Sequence, residues 1–208
     1  MVLRTETTGF MLTVTTWVIL GIACLVAPGV SAQAITVSQE IQLKNEDGYD
    51  IIGKMGDHIL LFRDQQNNFE IHAYDEAMRL RWERPLNFER NRVDIISLVP
   101  GEGSFHLVYG YRHKGDYYVK HRHYDADADV IDSTTIDVVE KLYFSPRYKH
   151  TYSQDKSKLL LFRVDKESEM FAYAYDLNKQ ETLWTKHISF KGGILRRDFR
   201  WMIVSNDA

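Results

Sequence analysis

The sequence predicts an all-β fold made of a repeated unit of about fifty residues. Aromatic residues make up 12% of the chain and only 4 residues are proline, a composition that favours strands. Two stretches share one order of apolar strand, polar turn and second strand, namely ILLFRDQQNNFEIHAYDEAMRLRW from Ile59 and LLLFRVDKESEMFAYAYDLNKQETLW from Leu159. Their recurrence predicts a repeated arrangement of hairpins.

A third copy lies between these two stretches and has the same plan. It reads HLVYGYRHKGDYYVKHRHYDADADVIDSTTI from His106, with Ile131 near the place of Trp82 and Trp184. A Tyr-Asp dipeptide marks the register in each unit and recurs at intervals of about fifty residues, as Tyr74-Asp75, Tyr124-Asp125 and Tyr175-Asp176. The three copies therefore align without large gaps.

Each unit also opens with a strand-like run: YDIIGKM, RVDIISLV and YKHTYSQ. This predicts four short strands per unit, joined by turns rich in Asp, Asn, Gly and Lys. Because a four-stranded antiparallel sheet cannot cover both its faces alone, radial stacking of the sheets is favoured. We predict a partial β-propeller over 48–208, with blades at 48–90, 91–140 and 141–192 and an incomplete fourth at 193–208. A β-sandwich of about a dozen strands is the alternative, but it does not predict the repeat.

The repeated motifs resemble those of β-propeller proteins. AYDEAMRLRW and AYDLNKQETLW resemble the strand-turn-strand of WD-repeat-like and pyrroloquinoline-quinone-type blades, and YSQDKSKLLLF is similar to the S-x-D-x-x-x-L blade openings of TolB-like propellers. The resemblance is to a kind of blade over about residues 48 to 208. It implies a propeller that binds partners through its loops or its channel mouth.

The N-terminal segment 1–32 is predicted to be a signal peptide. Arg4 precedes the apolar run MLTVTTWVILGIACLVAPGV, and the small-residue stretch VSAQA follows. Cleavage is expected after Ala32, with Ala34 as the alternative site, and 33–47 would be a lead-in to the repeats. Two other interpretations are an uncleaved membrane anchor and a lipidated Cys24. We expect export to the periplasm, the cell surface or the medium, with no transmembrane span in the mature chain.

The net charge and the cysteine content indicate which partners are expected and whether disulfides can stabilise the fold. The formal net charge is −3, so positive and negative side chains are nearly balanced. Binding to phosphates needs a concentrated basic surface, and no nucleic-acid partner is therefore expected. The one cysteine, Cys24, lies inside the predicted signal peptide. A chain cleaved after Ala32 would have no disulfide and would depend on its core for stability.

The stretch HRHYDADADVIDS suggests a metal site. Its two histidines share a strand face because side chains alternate with period two, and the aligned units carry Ile71 and Ala73, or Ala172 and Ala174, there. A third ligand beside them would suit zinc, and the alternating aspartates would suit calcium. The candidate ligands are His121, His123, Asp125, Asp127 and Asp129, with Asp132 as a further oxygen ligand and His106 and His113 as further nitrogen ligands.

The same stretch has a structural interpretation. The aspartates align with the turns DEAMRL and DLNKQE, where Asp side chains bond to nearby backbone N–H groups. Counted from Asp125, Val130 and Ile136 occupy positions where a calcium loop needs glycine and a carboxylate. The aspartates are then turn residues, and the histidines are partly buried and hydrogen-bonded. Arg63 and Arg163 are expected to be exposed at strand ends, with a central-channel anion site as the alternative.

The expected function is an exported, non-enzymatic propeller module that binds or scaffolds, as the N-terminal part of a larger protein. Whether the protein is an enzyme stays open. The sequence favours a non-enzyme, because it contains no G-x-S-x-G motif, no H-E-x-x-H motif and no phosphate-binding glycine loop. The alternatives are part of a propeller hydrolase or oxidoreductase with catalytic residues beyond 208, and a β-sandwich adhesin. No cofactor is expected apart from the calcium alternative, and the partner would be a protein or a surface glycan. The binding loops would be Gln65–Asn68, Arg112–Asp116 and Asp165–Glu169.

Overall fold

The computed structural model describes residues 47–141, 144–165, 168–190 and 202–207. These residues form twelve strands and no helix. The first sheet contains β1 (Asp47–Met55), β2 (His58–Gln65), β3 (Asn68–Tyr74) and β4 (Leu80–Pro85). The second contains β5 (Asp94–Pro100), β6 (Ser104–His113), β7 (Asp116–Asp125) and β8 (Val130–Val139). The third contains β9 (Tyr148–Tyr152), β10 (Lys158–Asp165), β11 (Glu169–Asp176) and β12 (Glu181–Ser189).

Each sheet is an antiparallel meander of four consecutive strands. The first strands of successive sheets contact one another, β1 with β5 and β5 with β9. The sheets therefore share an inner edge made of their first strands, as propeller blades do. The predicted all-β, propeller-like fold is confirmed, because the described residues form three sheets that share an inner edge and not the two sheets of a sandwich. Among the described residues, no helix is long and apolar enough to cross a membrane.

Two layers of buried side chains join the three sheets. The first seam lies between the first and second sheets and includes Leu60, Phe62, Ile71, Phe105, Leu107 and Tyr109. The second seam lies between the second and third sheets and includes Val108, Tyr117, Val119, Leu159, Leu161, Tyr173 and Tyr175. Complete burial of one such aliphatic side chain stabilises the fold by roughly 1.5–3 kcal/mol.

The middle sheet is buried on both faces because its strands alternate between the seams. On β6, Leu107 and Tyr109 pack into the first seam, whereas Val108 between them packs into the second. All three side chains are fully buried. This accounts for the nearly continuous apolar run LVY, which differs from the apolar-polar alternation of a sheet with one solvated face.

Three predicted segments fall largely outside the described residues. The signal peptide and the lead-in lie there, except for Asp47 at the start of β1. Of the predicted fourth blade, only 202–207 are described, and these residues form no strand. Met202 and Val204 pack against the outer face of the third sheet, beside Leu160, Phe162 and Ala174. The third sheet is thus covered on this face too by apolar side chains.

Arg163 corrects one expectation. It was predicted to be an exposed strand-end residue, but only 7% of its surface is accessible. Its guanidinium lies 4.1 Å from the centre of the Phe171 ring, which is its cross-strand neighbour, and 3.6 Å from the Asp165 carboxylate. The long stem and the planar head of arginine allow it to be covered in this way.

A glycine on β6 makes room for an aromatic side chain of the second seam. The ring of Tyr117 lies directly over Gly110, and its hydroxyl donates to Asp94 Oδ2 at 2.9 Å. A Cβ on Gly110 would overlap the Tyr117 ring. The absence of a side chain at this position therefore allows the ring to cross the strand and reach Asp94.

We predict that Gly110→Ala lowers the free energy of unfolding by about 1–3 kcal/mol, because overpacking forces the buried Tyr117 ring out of place. Urea unfolding measures the change. Gly48→Ala is the matched control, since its Cβ would meet only Asp64 Cβ at an ordinary 3.7 Å. Equal stabilities for the two variants would contradict the packing described for Tyr117.

Candidate functional site

The two histidines of the predicted metal motif lie on β7, facing the third sheet. His121 is completely buried in the second seam and His123 is partly buried. The equivalent residues Ile71 and Ala73 face the second sheet across the first seam. The structure thus places imidazoles where the first unit has apolar side chains.

The antiparallel register adds a third histidine to this position. His106 on β6 lies directly opposite His123, and their rings stack with centres 4.3 Å apart. His106 Nδ1 and His121 Nε2 are joined by a hydrogen bond of 3.0 Å. His121 Nδ1 is bonded to the Tyr175 hydroxyl of the third sheet at 3.2 Å. A hydrogen-bonded chain Tyr175–His121–His106 therefore crosses the second seam.

Neutral imidazoles suit this chain. A neutral ring has one N–H donor and one acceptor nitrogen, so it can bond to a hydroxyl on one side and to another imidazole on the other. Burial, with a smaller contribution from the other histidines, lowers the pKa of His121 to about 3 and that of His106 to about 4. Burial also lowers the pKa of His123, although the negative charges of Asp132 and Asp125 act to raise it.

The remaining predicted nitrogen ligands have different surroundings. His123 Nε2 is buried and has no hydrogen-bond partner. His113 lies at the other end of β6, where its ring contacts the Arg90 guanidinium. The structure therefore brings His106, His121 and His123 together and leaves His113 apart from them.

The aspartates of the motif form the β7–β8 turn. The Asp125 carboxylate accepts the backbone N–H groups of Asp127 and Asp129, at 3.0 and 2.9 Å. The Asp129 carboxylate forms an ion pair with Arg84 of the first sheet at 2.8 Å, and Asp127 is exposed. Asp132 accepts the N–H of Ser133.

The other two Tyr-Asp pairs have the same turn chemistry. Asp75 accepts the N–H of Arg79 at 2.8 Å, and Asp176 accepts those of Asn178 and Lys179 at 3.0 and 2.9 Å. Asp is therefore the turn-capping residue of all three units. Among the described residues, no group of three or more His, Cys, Asp or Glu side chains is arranged to hold a metal ion. Metal binding at the motif stays a prediction.

A second polar cluster, which the sequence interpretation did not identify, lies at the first seam. The Glu89 carboxylate receives hydrogen bonds from Tyr109 Oη and Lys120 Nζ, each at 2.8 Å, and an ion pair from Arg122 at 3.1 Å. Burial alone would raise the pKa of Glu89, but these donors lower it to about 2. They attach the connection between β4 and β5 to the second sheet.

This connection borders a cavity at one edge of the sheets, which we call the loop face. The loop face contains the β2–β3, β6–β7 and β10–β11 hairpins, and the β4–β5 and β8–β9 connections. The three predicted binding loops are these hairpins, at equivalent places in their sheets. The cavity measures about 570 Å³ and is lined by Glu89, Arg90, Asn91, Arg92, Asp94, Tyr111, Arg112 and Ser145. In the sequence, the run ERNR, with its two arginines, could have indicated this cavity.

Solved structures with similar backbones include propeller domains. An uncharacterized protein of Listeria monocytogenes, lmo1340, has a TM-score of 0.45 at 11% identity, over 74% of this chain and 43% of that one. The Nup133 β-propeller domain of Vanderwaltozyma polyspora has a TM-score of 0.40 at 7% identity, over 65% and 44%. Prolyl oligopeptidase B of Galerina marginata has a TM-score of 0.43 at 12% identity, over 70% and 20%.

This chain spans less than half the length of each of these structures. No known family matches its sequence, and no curated protein does.

We predict that the buried histidines make the fold sensitive to acid. Their pKa values are below 6.5 in the native state, so the unfolded chain binds more protons as the pH falls from about 6.5 towards 4. His106 and His121 should each lower the free energy of unfolding by up to about 1.4 kcal/mol per pH unit in this window.

Urea unfolding at pH 7, 6 and 5 measures this dependence. The double variant combines His121→Ile with Tyr175→Phe. The first change introduces the residue found at the aligned position, Ile71, and the second removes the hydroxyl that would otherwise lose its partner. The stability of the double variant should fall less steeply with acid than that of the original chain. Identical slopes for the two chains would contradict a neutral, buried His121.

The metal prediction has a direct test in thermal melting with zinc or calcium. A metal that binds only the native chain must raise the midpoint of unfolding. For the predicted site, this rise should disappear in His123→Ala with zinc, or in Asp127→Ala with calcium. An unchanged midpoint at millimolar metal would exclude the site.

Proposed function

We propose that this protein is an exported, non-enzymatic β-propeller module that binds a partner through its loop face. The observation that carries the proposal is the cavity between the β4–β5 connection and the β6–β7 hairpin. Propellers present their loops at the ends of the blades, where side chains are free of the packing that fixes the sheets. Arginine and tyrosine, which line this cavity, are enriched in binding sites.

The connection that borders the cavity is held in place before any partner binds. Its Glu89 is bonded to the second sheet by Tyr109, Lys120 and Arg122. The Arg122 guanidinium also donates to Asn87 O and lies 5.2 Å from the Phe88 ring centre. Because a preorganised loop loses little conformational freedom on binding, such anchoring supports a binding role.

Export is supported by the sequence of the N-terminal segment. The run between Met11 and Val30 and the small residues that follow have the layout of a cleaved secretory signal. The mature chain would begin at Gln33 and act in the periplasm, at the cell surface or outside the cell.

Site-specific photocrosslinking in living cells tests this proposal. The photoreactive residue replaces Lys114 at the tip of the β6–β7 hairpin, and in a matched control it replaces Glu102 in the β5–β6 turn at the opposite edge. Both positions are exposed. We expect one discrete adduct from position 114 and none from position 102, on an exported chain whose N-terminus is Gln33.

Three outcomes would contradict the proposal. Equal labelling from both positions would contradict a binding role for the loop face, and so would no labelling from either. A chain that stays in the cytoplasm with its first 32 residues attached would contradict export.

A further inference from the structure

Six of the arginines that the structure describes are paired with nearby carboxylates. Arg84 is paired with Asp129 at 2.8 Å, Arg122 with Glu89 at 3.1 Å and Arg81 with Asp75 at 2.7 Å. Arg63, Arg79 and Arg163 also have ion-pair partners, which are Glu70, Asp75 and Asp165. Each of these six arginines therefore has a partner anion.

The loop-face cavity differs in this respect. Among the described residues, no carboxylate lies within ion-pair distance of Arg90 or Arg92, although both line the cavity and are exposed. Arg90 contacts the His113 ring, with 2.6 Å between its Nη2 and Nδ1. Burial, then the charges of Arg90 and Lys114, lower the pKa of His113, which favours the neutral imidazole. A neutral ring does not balance the charge of Arg90. The nearby Glu89 is neutralised by Lys120 and Arg122.

Two uncompensated guanidinium groups beside one cavity suit an oxyanion. Their planar forks bind a carboxylate or a phosphate with paired N–H donors. The lining also includes the Asp94 carboxylate, which repels a doubly charged phosphate more than a singly charged carboxylate. The charge balance therefore favours a ligand with isolated carboxylates.

The rest of the lining suits hydroxyl groups. Asp94 uses Oδ2 for the Tyr117 hydroxyl at 2.9 Å, and a carboxylate has acceptor capacity beyond one such bond. Asn91 and Ser145 add donors and acceptors, and Tyr111 adds an aromatic wall held by stacking on Tyr118 at 5.4 Å. A sugar ring has hydroxyls for the polar groups and C–H bonds for the electron-rich face of an aromatic ring. A peptide made of glutamate alone has no hydroxyl group for Asp94.

We propose that the loop-face cavity binds an acidic carbohydrate, with the sugar carboxylate on Arg90 and Arg92 and the sugar hydroxyls on Asp94 and Asn91. This inference rests on the proposed function, because it specifies the ligand of the same loop face. Uronic-acid polymers of the cell exterior have this chemistry.

Titration calorimetry with the purified chain tests the proposal. The probes are a trimer of galacturonic acid, the neutral galactose trimer, a glutamate trimer peptide and inorganic phosphate. We expect the acidic sugar to bind more tightly than the other three. Arg92→Ala should weaken it at least tenfold, and Arg92→Lys should weaken it less because the charge remains.

Arg79→Ala is the matched control. Arg79 is also exposed, but it lies in the β3–β4 turn at the opposite edge and is paired with Asp75. Its replacement should leave the sugar affinity unchanged. Thermal midpoints of both alanine variants within a degree or two of the original chain would show that each is folded.

Several results would overturn the inference. They are the absence of acidic-sugar binding, equal binding of the neutral trimer, tighter binding of the glutamate peptide or of phosphate, and equal losses in the two alanine variants. A discrete adduct from position 114 together with no sugar binding would overturn this inference alone and leave the loop face as a site for another partner.

Discussion

The burial of both faces of the middle sheet is the constraint on which the rest of this structure depends. A four-stranded antiparallel sheet cannot cover its own two faces, and here neighbouring sheets of the same chain cover them. The alternation along β6 divides its side chains between the two seams, so that Leu107 and Val108 face opposite neighbours. The first strands of neighbouring sheets also contact one another, β1 with β5 and β5 with β9.

Polar groups in the seams occur where this packing would otherwise leave donors or acceptors unpaired. The fully buried Tyr175 has its hydroxyl in the second seam, and His121 gives it a partner that is neutral at ordinary pH. In the first seam, the Tyr109 hydroxyl donates a hydrogen bond to Glu89, whose charge is neutralised by Lys120 and Arg122. The second contact also fixes the β4–β5 connection. Sheet packing and the shape of the loop face thus have a common origin.

Much of the fold could be predicted from the sequence, but the polar clusters could not. The repeat and the strand periodicity predicted the sheets, and the Tyr-Asp pairs predicted the turns capped by Asp75, Asp125 and Asp176. His106 became a neighbour of His123 through the length of the β6–β7 hairpin, which sets the cross-strand register. Glu89 is far along the chain from Lys120, so no local pattern indicated their contact. Arg163 was expected to be exposed because it lies at the end of a strand. Its stacking on Phe171 depends on cross-strand packing, which the position in the sequence does not show.

The central claim is that the second and third sheets pack face to face through the Tyr175–His121–His106 chain. Nuclear Overhauser effects between the rings, in a sample with labelled histidine and tyrosine, test it most directly. With ring centres 5.4 Å apart for His121 and Tyr175 and 4.3 Å apart for His106 and His123, cross-peaks should appear for both pairs. A cross-peak between His106 and His123 without one between His121 and Tyr175 would show a folded second sheet without this seam, and would contradict the account.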